Sequence, residues 1–346
     1  MTDPLDILII GAGVSGIGSA AIVKTARPEA RFLILANWSD TRHQWTVTAQ
    51  TPLGTVTPGY FCPPFPEYEF ETTLNKLDVP DTWRHQILRQ KALYDAEAFS
   101  RRCKRDPEGT ARDLIDAVAG QLPPGFDVAR HFTPRYRPWR QRVALVPNGD
   151  FFAAIRSGKA DVVTDEIESF TATGLLLKSG QTLDADIIVT ATGFRISVLG
   201  VIAFRLDGQP VDPADTVTWR GMMFTDLPNL AWVFGYLRAA WTPRVELVAD
   251  MVLRLMAHMQ ATGTTKVVPI LRPEQQAMPR LPFIDPDDFN AGNLTRALDA
   301  MPRRLDSPEW SHTQNNLAEK PAFAAINLGN GALQFARADG QSFPHG

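Results

Sequence analysis

The sequence is poor in cysteine, in excess charge of either sign and in long apolar runs, and each scarcity excludes a class of protein. It has only 2 cysteines, Cys62 and Cys103, in 346 residues, which excludes a disulfide framework, and their spacing does not suit a metal site. The formal net charge is -3, so neither nucleic acid nor an anionic membrane is expected as a partner. No apolar run approaches the length of a membrane span and no basic leader begins the chain, which predicts a cytoplasmic protein.

The most informative segment is the beginning of the chain. A short apolar strand at 5–10 runs directly into a G-x-G-x-x-G pattern formed by Gly11, Gly13 and Gly16, and then into a helix of small residues. In a dinucleotide-binding turn the first glycine permits the bend, the second admits a pyrophosphate, and the third lets the helix pack on the strand. The helix N-terminus then faces the phosphates. We therefore predict a dinucleotide site at this turn, with Ser15 among its residues.

A second strand completes the predicted unit. The helix is expected over about 14–25, and the apolar residues 31–35 predict a parallel strand after it. An acidic residue that binds the ribose is expected near the end of this strand. Ala36 and Asn37 stand there instead. Asn37 can donate or accept a hydrogen bond with the ribose but carries no charge. Asp40 is the alternative candidate for the missing acidic residue.

Beyond this unit the pattern alternates between helices and strands. Helices are predicted over about 81–103 and 108–121, and their basic residues are interpreted as a solvated face because acidic residues are interspersed. A third helix is expected from Pro243 to about Met259, with Thr242 as its N-cap and an apolar stripe facing the core. The remaining predictions are strands at 160–164, 166–170, 174–178, 186–191 and 229–234, a turn at 178–181, a helical stretch near 294–301 and a loosely ordered tail from 329.

Two distant segments together resemble a known family. The glycine-rich opening is joined by T-L-D-A-D-I-I-V-T-A-T-G-F at 182–194, and further motifs lie at 131–150 and at Gly221-Met222-Met223. The set resembles the FAD-dependent flavoprotein monooxygenases, in their Baeyer–Villiger branch, and most nearly the ethionamide-activating type. The resemblance covers about 5–35 and, almost without a gap, 81–312.

The resemblance implies an α/β fold with a Rossmann-like FAD-binding parallel sheet, assembled from N-terminal and later segments. It implies a discontinuous FAD-binding domain at 1–36 and 145–262, a shortened, mainly helical insertion at 37–144, and a C-terminal extension at 263–346. The second nucleotide-binding domain is expected to be shortened or missing, because no second G-x-G-x-x-G occurs and the family's F-x-G-x-x-x-H-x-x-x-W fingerprint is also absent.

The resemblance also implies a chemistry. In the family, NADPH reduces FAD, the reduced flavin adds O2 at its C4a atom, and the resulting peroxyflavin oxygenates a ketone or a sulfide. The late strand would place Thr192 and Gly193 near the flavin, and Trp241 and Thr242 would lie near its ring at the start of a helix. No catalytic residue and no metal site is predicted. The family-like G-Y-x-x-A-x-W-T survives at 235–242, with Arg238 and Ala240 at its usually polar positions.

Two alternatives stand beside this interpretation. The chain could be a non-catalytic FAD- or nucleotide-binding remnant of the family, since the NADPH-binding motif is missing. It could instead be a NAD(P)-dependent reductase with a single Rossmann unit, which is disfavoured because no Tyr-x-x-x-Lys pair follows that unit. If the chain is an active monooxygenase, an external reductase is an alternative source of electrons.

Overall fold

The structure is a computed structural model that describes residues 7–10, 22, 25–27, 32–35, 60–62, 67–146, 149–158, 160, 162–184, 196–200 and 202–337. The chain divides into two compact units. The first comprises Met1–His43, Arg195–Pro286 and Leu294–Gly346, and the second comprises Gln44–Phe194 and Asp287–Asn293. This division reflects compactness and carries no information about cofactors, so the predicted domain boundaries stay a prediction.

The first unit contains the predicted parallel strand pair. Strand β1 (Ile7–Ile10) pairs with β2 (Phe32–Leu35), and their register runs from Ile7↔Phe32 to Ile10↔Leu35. Parallel neighbours require a crossover, and residues 22, 25 and 26 between them are helical. The rest of the predicted helix lies outside the described residues. The strand predicted at 31–35 is confirmed.

The other elements follow in chain order. They are β3 (Phe61–Cys62), α1 (Glu67–Lys76), α2 (Asp81–Arg105), α3 (Pro107–Ala119), α4 (Val128–His131), β4 (Ala144–Leu145), α5 (Asp150–Arg156), β5 (Ile167–Phe170), β6 (Gly174–Leu177), β7 (Thr182–Asp184), β8 (Arg205–Leu206), β9 (Gln209–Pro210), a 3₁₀ turn (Pro213–Asp215), β10 (Thr218–Trp219), β11 (Met223–Phe224), α6 (Thr242–Thr262), β12 (Lys266–Pro269), α7 (Pro273–Gln276), β13 (Leu281–Pro282), α8 (Gly292–Thr295), a second 3₁₀ turn (Leu298–Ala300), β14 (Arg303–Arg304), α9 (Asn316–Ala324) and β15 (Leu333–Ala336).

Helix α6 forms one side of the core of the first unit. Its predicted apolar stripe is confirmed, because Val245, Val248 and Leu255 are buried while Val252 and Met259 pack against the same cluster. An apolar stripe of this kind is buried against the apolar residues of a neighbouring layer of the fold. The cluster also contains Trp219, Met222, Met223, Leu305, Trp310, Phe323, Leu333 and Phe335.

The start of α6 differs from the prediction by one residue. Thr242 is the first helical residue, and Trp241 occupies the N-cap position with φ -78° and ψ -31°. The Trp241 carbonyl accepts from the amides of Arg244 and Val245 at 3.0 and 3.2 Å, and no side chain caps the helix. The assignment of Thr242 as N-cap was wrong. Pro243 is the second helical residue, a position that tolerates proline because the first N–H groups of a helix have no intrahelical partner.

The strand predicted at 229–234 was also wrong. Only Ala231 makes an isolated bridge, to Met223. Asn229 has φ +56° and is tied to the start of β12 by its side chain, which donates to Thr265 O at 3.0 Å and accepts from Val267 N at 2.9 Å. These bonds hold the backbone in a loop, because an Asn side chain can replace a backbone partner.

The C-terminal region is more ordered than the sequence predicts. Strand β15 pairs antiparallel with β12, with Val267 opposite Phe335, and Leu333 is fully buried. The prediction of a loosely ordered tail from 329 was therefore wrong over 329–337. The helical stretch predicted near 294–301 is divided between α8 and the second 3₁₀ turn.

The second unit confirms the two predicted helices. Asp106 ends α2 and caps α3, since its carboxylate accepts from Gly109 N at 2.9 Å and Pro107 begins the helix. Basic residues of α2 pair with carboxylates at exposed positions, as a solvated face requires: Arg84 with Asp81, Lys91 with Asp95, Arg101 with Glu97 and Arg102 with Asp113. In the described part of the chain, no helix is both long and apolar enough to cross a bilayer.

Strands β5, β6 and β7 form an antiparallel meander in this unit. The strands predicted at 166–170 and 174–178 and the turn between β6 and β7 are confirmed, with Gly180 at φ +87° in the turn. The strand predicted at 160–164 was wrong. Ala160 and Val162 instead pack from an irregular segment against the cluster around Phe132 and Phe152, because apolar burial there requires no strand ladder.

Both cysteines are free thiols buried in the second unit. Burial raises the pKa of the Cys62 thiol to about 11, so almost none of it is thiolate at neutral pH. We expect neither thiol to react with Ellman's reagent within minutes in the native protein, and both to react after unfolding in guanidinium. Native labelling at the rate of a free peptide thiol would contradict this burial.

Candidate functional site

Most of the predicted cofactor-binding residues lie outside the described residues, and for them the site stays a prediction. These are Gly11, Gly13, Ser15, Gly16, Asn37, Thr192 and Gly193. Trp241 and Thr242 are described, and both lie exposed in the first unit at the start of α6.

The parallel strand pair defines the sheet edge at which the glycine turn is predicted. Ile10 is opposite Leu35 in the register, so both strands end at the same edge of the sheet. Gly11 follows the first strand directly, and Asn37 lies two residues after the second. This carboxyl edge is where open parallel sheets bind dinucleotides.

The segment 235–242 brings Trp241 to the surface. The indole is 46% exposed, an unusual position for so large an apolar side chain. It lies against Gly235, where an added Cβ would stand 2.4 Å from Trp241 Cγ. The indole of Trp241 can therefore occupy this position only because residue 235 has no side chain.

A buried polar network lies behind this segment. Arg244 Nη1 donates to Glu319 Oε2 at 2.6 Å, and their side chains are only 2% and 5% exposed. Tyr236 Oη donates to the same oxygen at 2.7 Å, and Thr313 N donates to Glu319 Oε1 at 2.8 Å. The carboxylate thus has three donors, as burial of its charge requires. Burial and the adjacent Glu319 charge raise the pKa of Tyr236 well above its usual range, so the phenol keeps its proton.

Other bonds extend this network. Arg244 Nη2 donates to Arg220 O, and its guanidinium lies over the Phe323 ring at 5.1 Å. Gln314 Oε1 accepts from Leu237 N at 2.8 Å. The network therefore joins the segment 235–242, α6 and α9 in the first unit.

His312 lies beside this network as a neutral imidazole. Its Nε2 is 3.0 Å from Phe283 O, which assigns the proton to that nitrogen. Withdrawal from water and the nearby Arg244 charge lower the pKa of His312 to about 4. The imidazole also leaves little room for a side chain at position 221, since a Cβ on Gly221 would lie 3.0 Å from His312 Cδ2.

The depressed pKa of His312 predicts loss of stability in mild acid. The unfolded chain binds a proton at about pH 6.5 and the folded chain only near pH 4, so the free energy of unfolding falls as pH drops between these values, by roughly 3 kcal/mol in all. Urea unfolding at several pH values measures this, and His312→Gln should flatten the dependence. An equal slope in wild type and variant would contradict it.

Sequence reasoning missed the roles of Arg244, Glu319 and His312. One signal was available, because Arg244 lies one turn before Val248 on the apolar face of α6. A charged residue on a buried face implies a buried partner. Nothing local in the sequence identified Glu319 as that partner. His258 of α6 packs on Phe335 with ring centroids 4.4 Å apart.

Solved structures establish the fold. Cyclohexanone monooxygenase from Rhodococcus sp. Phi1 bound to NADP+ aligns with a TM-score of 0.52 and 16% identity, over 96% of this chain and 67% of that one. Oxidized steroid monooxygenase bound to NADP aligns with a TM-score of 0.54 and 14% identity, over 96% of this chain and 66% of that one. The chain has the mixed α/β fold of these monooxygenases and covers about two thirds of each of them.

Sequence relatives establish the family. No model of a known protein family matches the chain. The FAD-containing monooxygenase EthA of Mycobacterium tuberculosis is 40% identical over 255 residues, which are 74% of this chain and 50% of the relative. The probable FAD-binding monooxygenase AlmA of Acinetobacter baylyi is 34% identical over 270 residues, 78% of this chain and 53% of the relative. The chain spans about half the length of these relatives, and it belongs to the family of FAD-containing monooxygenases.

Proposed function

We propose that this chain binds FAD and inserts one oxygen atom of O2 into a ketone or a sulfide, with NADPH as the source of electrons. The observation that carries the proposal is the 40% identity over 255 residues to a relative named as an FAD-containing monooxygenase. The aligned carboxyl ends of β1 and β2 support it, because the glycine pattern directly follows β1 and such cofactors bind at this edge of a parallel sheet.

Two groups of residues would hold this cofactor. Gly11, Gly13 and Gly16, with Ser15, would hold the pyrophosphate, and Asn37 would bond the ribose. Thr192, Gly193, Trp241 and Thr242 would approach the flavin, and the exposed indole of Trp241 offers an apolar face for its ring. When bound, FAD supplies the redox chemistry and the activation of O2. The chain orients the substrate and excludes water from the site.

A second function is FAD binding without turnover. It is favoured by the missing second glycine motif. An external reductase belongs to the first function, as an alternative source of electrons for an active monooxygenase.

The visible spectrum of the purified protein, before and after FAD is added, tests the proposal. We expect flavin bands, anaerobic bleaching by NADPH, and an ester or sulfoxide product after O2 and a ketone or sulfide are added. Gly13→Val should lose the bands, while Gly120→Ala should keep them because its Cβ meets only ordinary contacts at 3.6 Å. Flavin that NADPH does not reduce would favour binding without turnover, and failure to bind FAD would overturn both functions.

Gly235→Ala is expected to displace the Trp241 indole. The new Cβ would overlap the ring at 2.4 Å, and overpacking of this kind costs about 1–3 kcal/mol. Because Trp241 is proposed to face the flavin, we also expect weaker FAD binding by fluorescence titration. Gly120→Ala is the matched control, and unchanged stability and affinity in Gly235→Ala would contradict the packing.

A further inference from the structure

The segment 235–242 has no regular secondary structure before α6 begins. No ladder of backbone bonds therefore fixes it, and its position depends on contacts with other segments. Those contacts determine where Trp241 is presented.

Several of these contacts come from one short stretch of chain at 313–319. Glu319 accepts from Tyr236 at 2.7 Å, and Gln314 accepts from Leu237 N at 2.8 Å. Asn316 Nδ2 lies 3.5 Å from both Tyr236 Oη and Pro243 O. The first residues of the segment, and Pro243 directly after its end, are thus held by residues 314–319.

The Arg244–Glu319 pair fixes the beginning of α9 in turn. Arg244 lies in the first turn of α6 and is buried with Glu319 at 2.6 Å. Breaking a buried ion pair is costly, because the remaining charge has neither a partner nor water around it. The pair therefore keeps the two side chains in a fixed arrangement. Asn315 caps α9, accepting from Leu317 N at 2.9 Å, so the Glu319 carboxylate is presented from an ordered helix start.

We infer that Glu319 and Arg244 are positioning residues that hold the segment 235–242, and with it Trp241, in the place where the proposed flavin is bound. The placement of Trp241 at the flavin rests on the proposed function, whereas the holding of the segment 235–242 by Glu319 and Arg244 does not depend on it. The chain keeps a matched contact on the same two helices: Arg254 donates to Phe323 O at 2.6 Å and to Ile326 O at 2.8 Å, at the opposite end of α9.

Hydrogen exchange of the whole chain, read by mass spectrometry, tests the holding directly. In Glu319→Gln we expect peptides over 235–242 to exchange at least about tenfold faster, while peptides over 252–262 keep their rate. Tyr236→Phe, which leaves the Arg244–Glu319 pair intact, should give a smaller increase and remain folded. Arg254→Met should leave exchange at 235–242 unchanged. Equal exchange at 235–242 in Glu319→Gln, Tyr236→Phe and wild type would overturn the inference.

Titration with FAD tests the consequence. The Kd for FAD should rise about tenfold in Glu319→Gln and less in Tyr236→Phe, and it should stay at the wild-type value in Arg254→Met. Faster exchange at 235–242 in Glu319→Gln together with an unchanged Kd for FAD would overturn the inference that these residues position Trp241 for the cofactor. If the wild-type protein binds no FAD, the proposed function fails, and the exchange rates still decide whether these residues hold the segment.

Discussion

Replacing Leu333 by alanine is expected to lower the free energy of unfolding by about 2–5 kcal/mol. Leu333 is fully buried in the core of the first unit, although it stands near the end of the described chain. Its removal leaves a cavity among α6, β12 and the tryptophans of the core, and dense packing prevents the neighbours from closing it.

Urea unfolding followed by circular dichroism measures the change. Gln334→Ala is the control, because Gln334 follows Leu333 in β15 and points to the opposite face of the strand, where it is only partly buried. We expect the control to change stability by less than about 0.5 kcal/mol. If both variants unfold like the wild type, β15 is not part of the core.

Replacing Arg244 by methionine is expected to cost about 3–5 kcal/mol, because Glu319 would remain as a buried carboxylate without its cation. Tyr236 and Thr313 would still donate to that carboxylate, but neither carries a charge. The second variant, Arg244→Met with Glu319→Met, removes both charges and should recover much of the loss.

A double-mutant cycle of unfolding free energies separates the pair from the packing of each side chain. The two single substitutions should each destabilise, and their sum should exceed the effect of the double variant. Additive effects would show that Arg244 and Glu319 stabilise the fold independently of each other.

The elements predicted well are those with local signals. Helix α3 begins at an Asp-Pro pair that caps it, and α6 carries an apolar stripe that repeats with the helical period. Such patterns depend on residues within a few positions, which is why helix-forming residues predicted α3 and the apolar stripe predicted α6.

The errors concern segments whose structure depends on distant partners. β15 exists because β12 offers a free edge, and the polar residues around it predict a loop when taken alone. Residues 229–234 resemble a strand, yet the Asn229 side chain takes the bonds of β12 that a strand would need. In each case a tertiary contact overrides a local preference.

The sequence by itself determined the two apolar strands of the parallel pair, the glycine pattern that follows the first of them and membership in the monooxygenase family. These follow from residue order, because a tight turn beside a phosphate tolerates only glycine at set positions. Only the tertiary structure decided what holds the segment before α6. Tyr236 and Arg244 bond to Glu319 across 83 and 75 residues of chain. No local pattern specifies a partner at that separation. Glu319 needs these donors because its carboxylate is buried, and which donors reach it is decided by the folded chain.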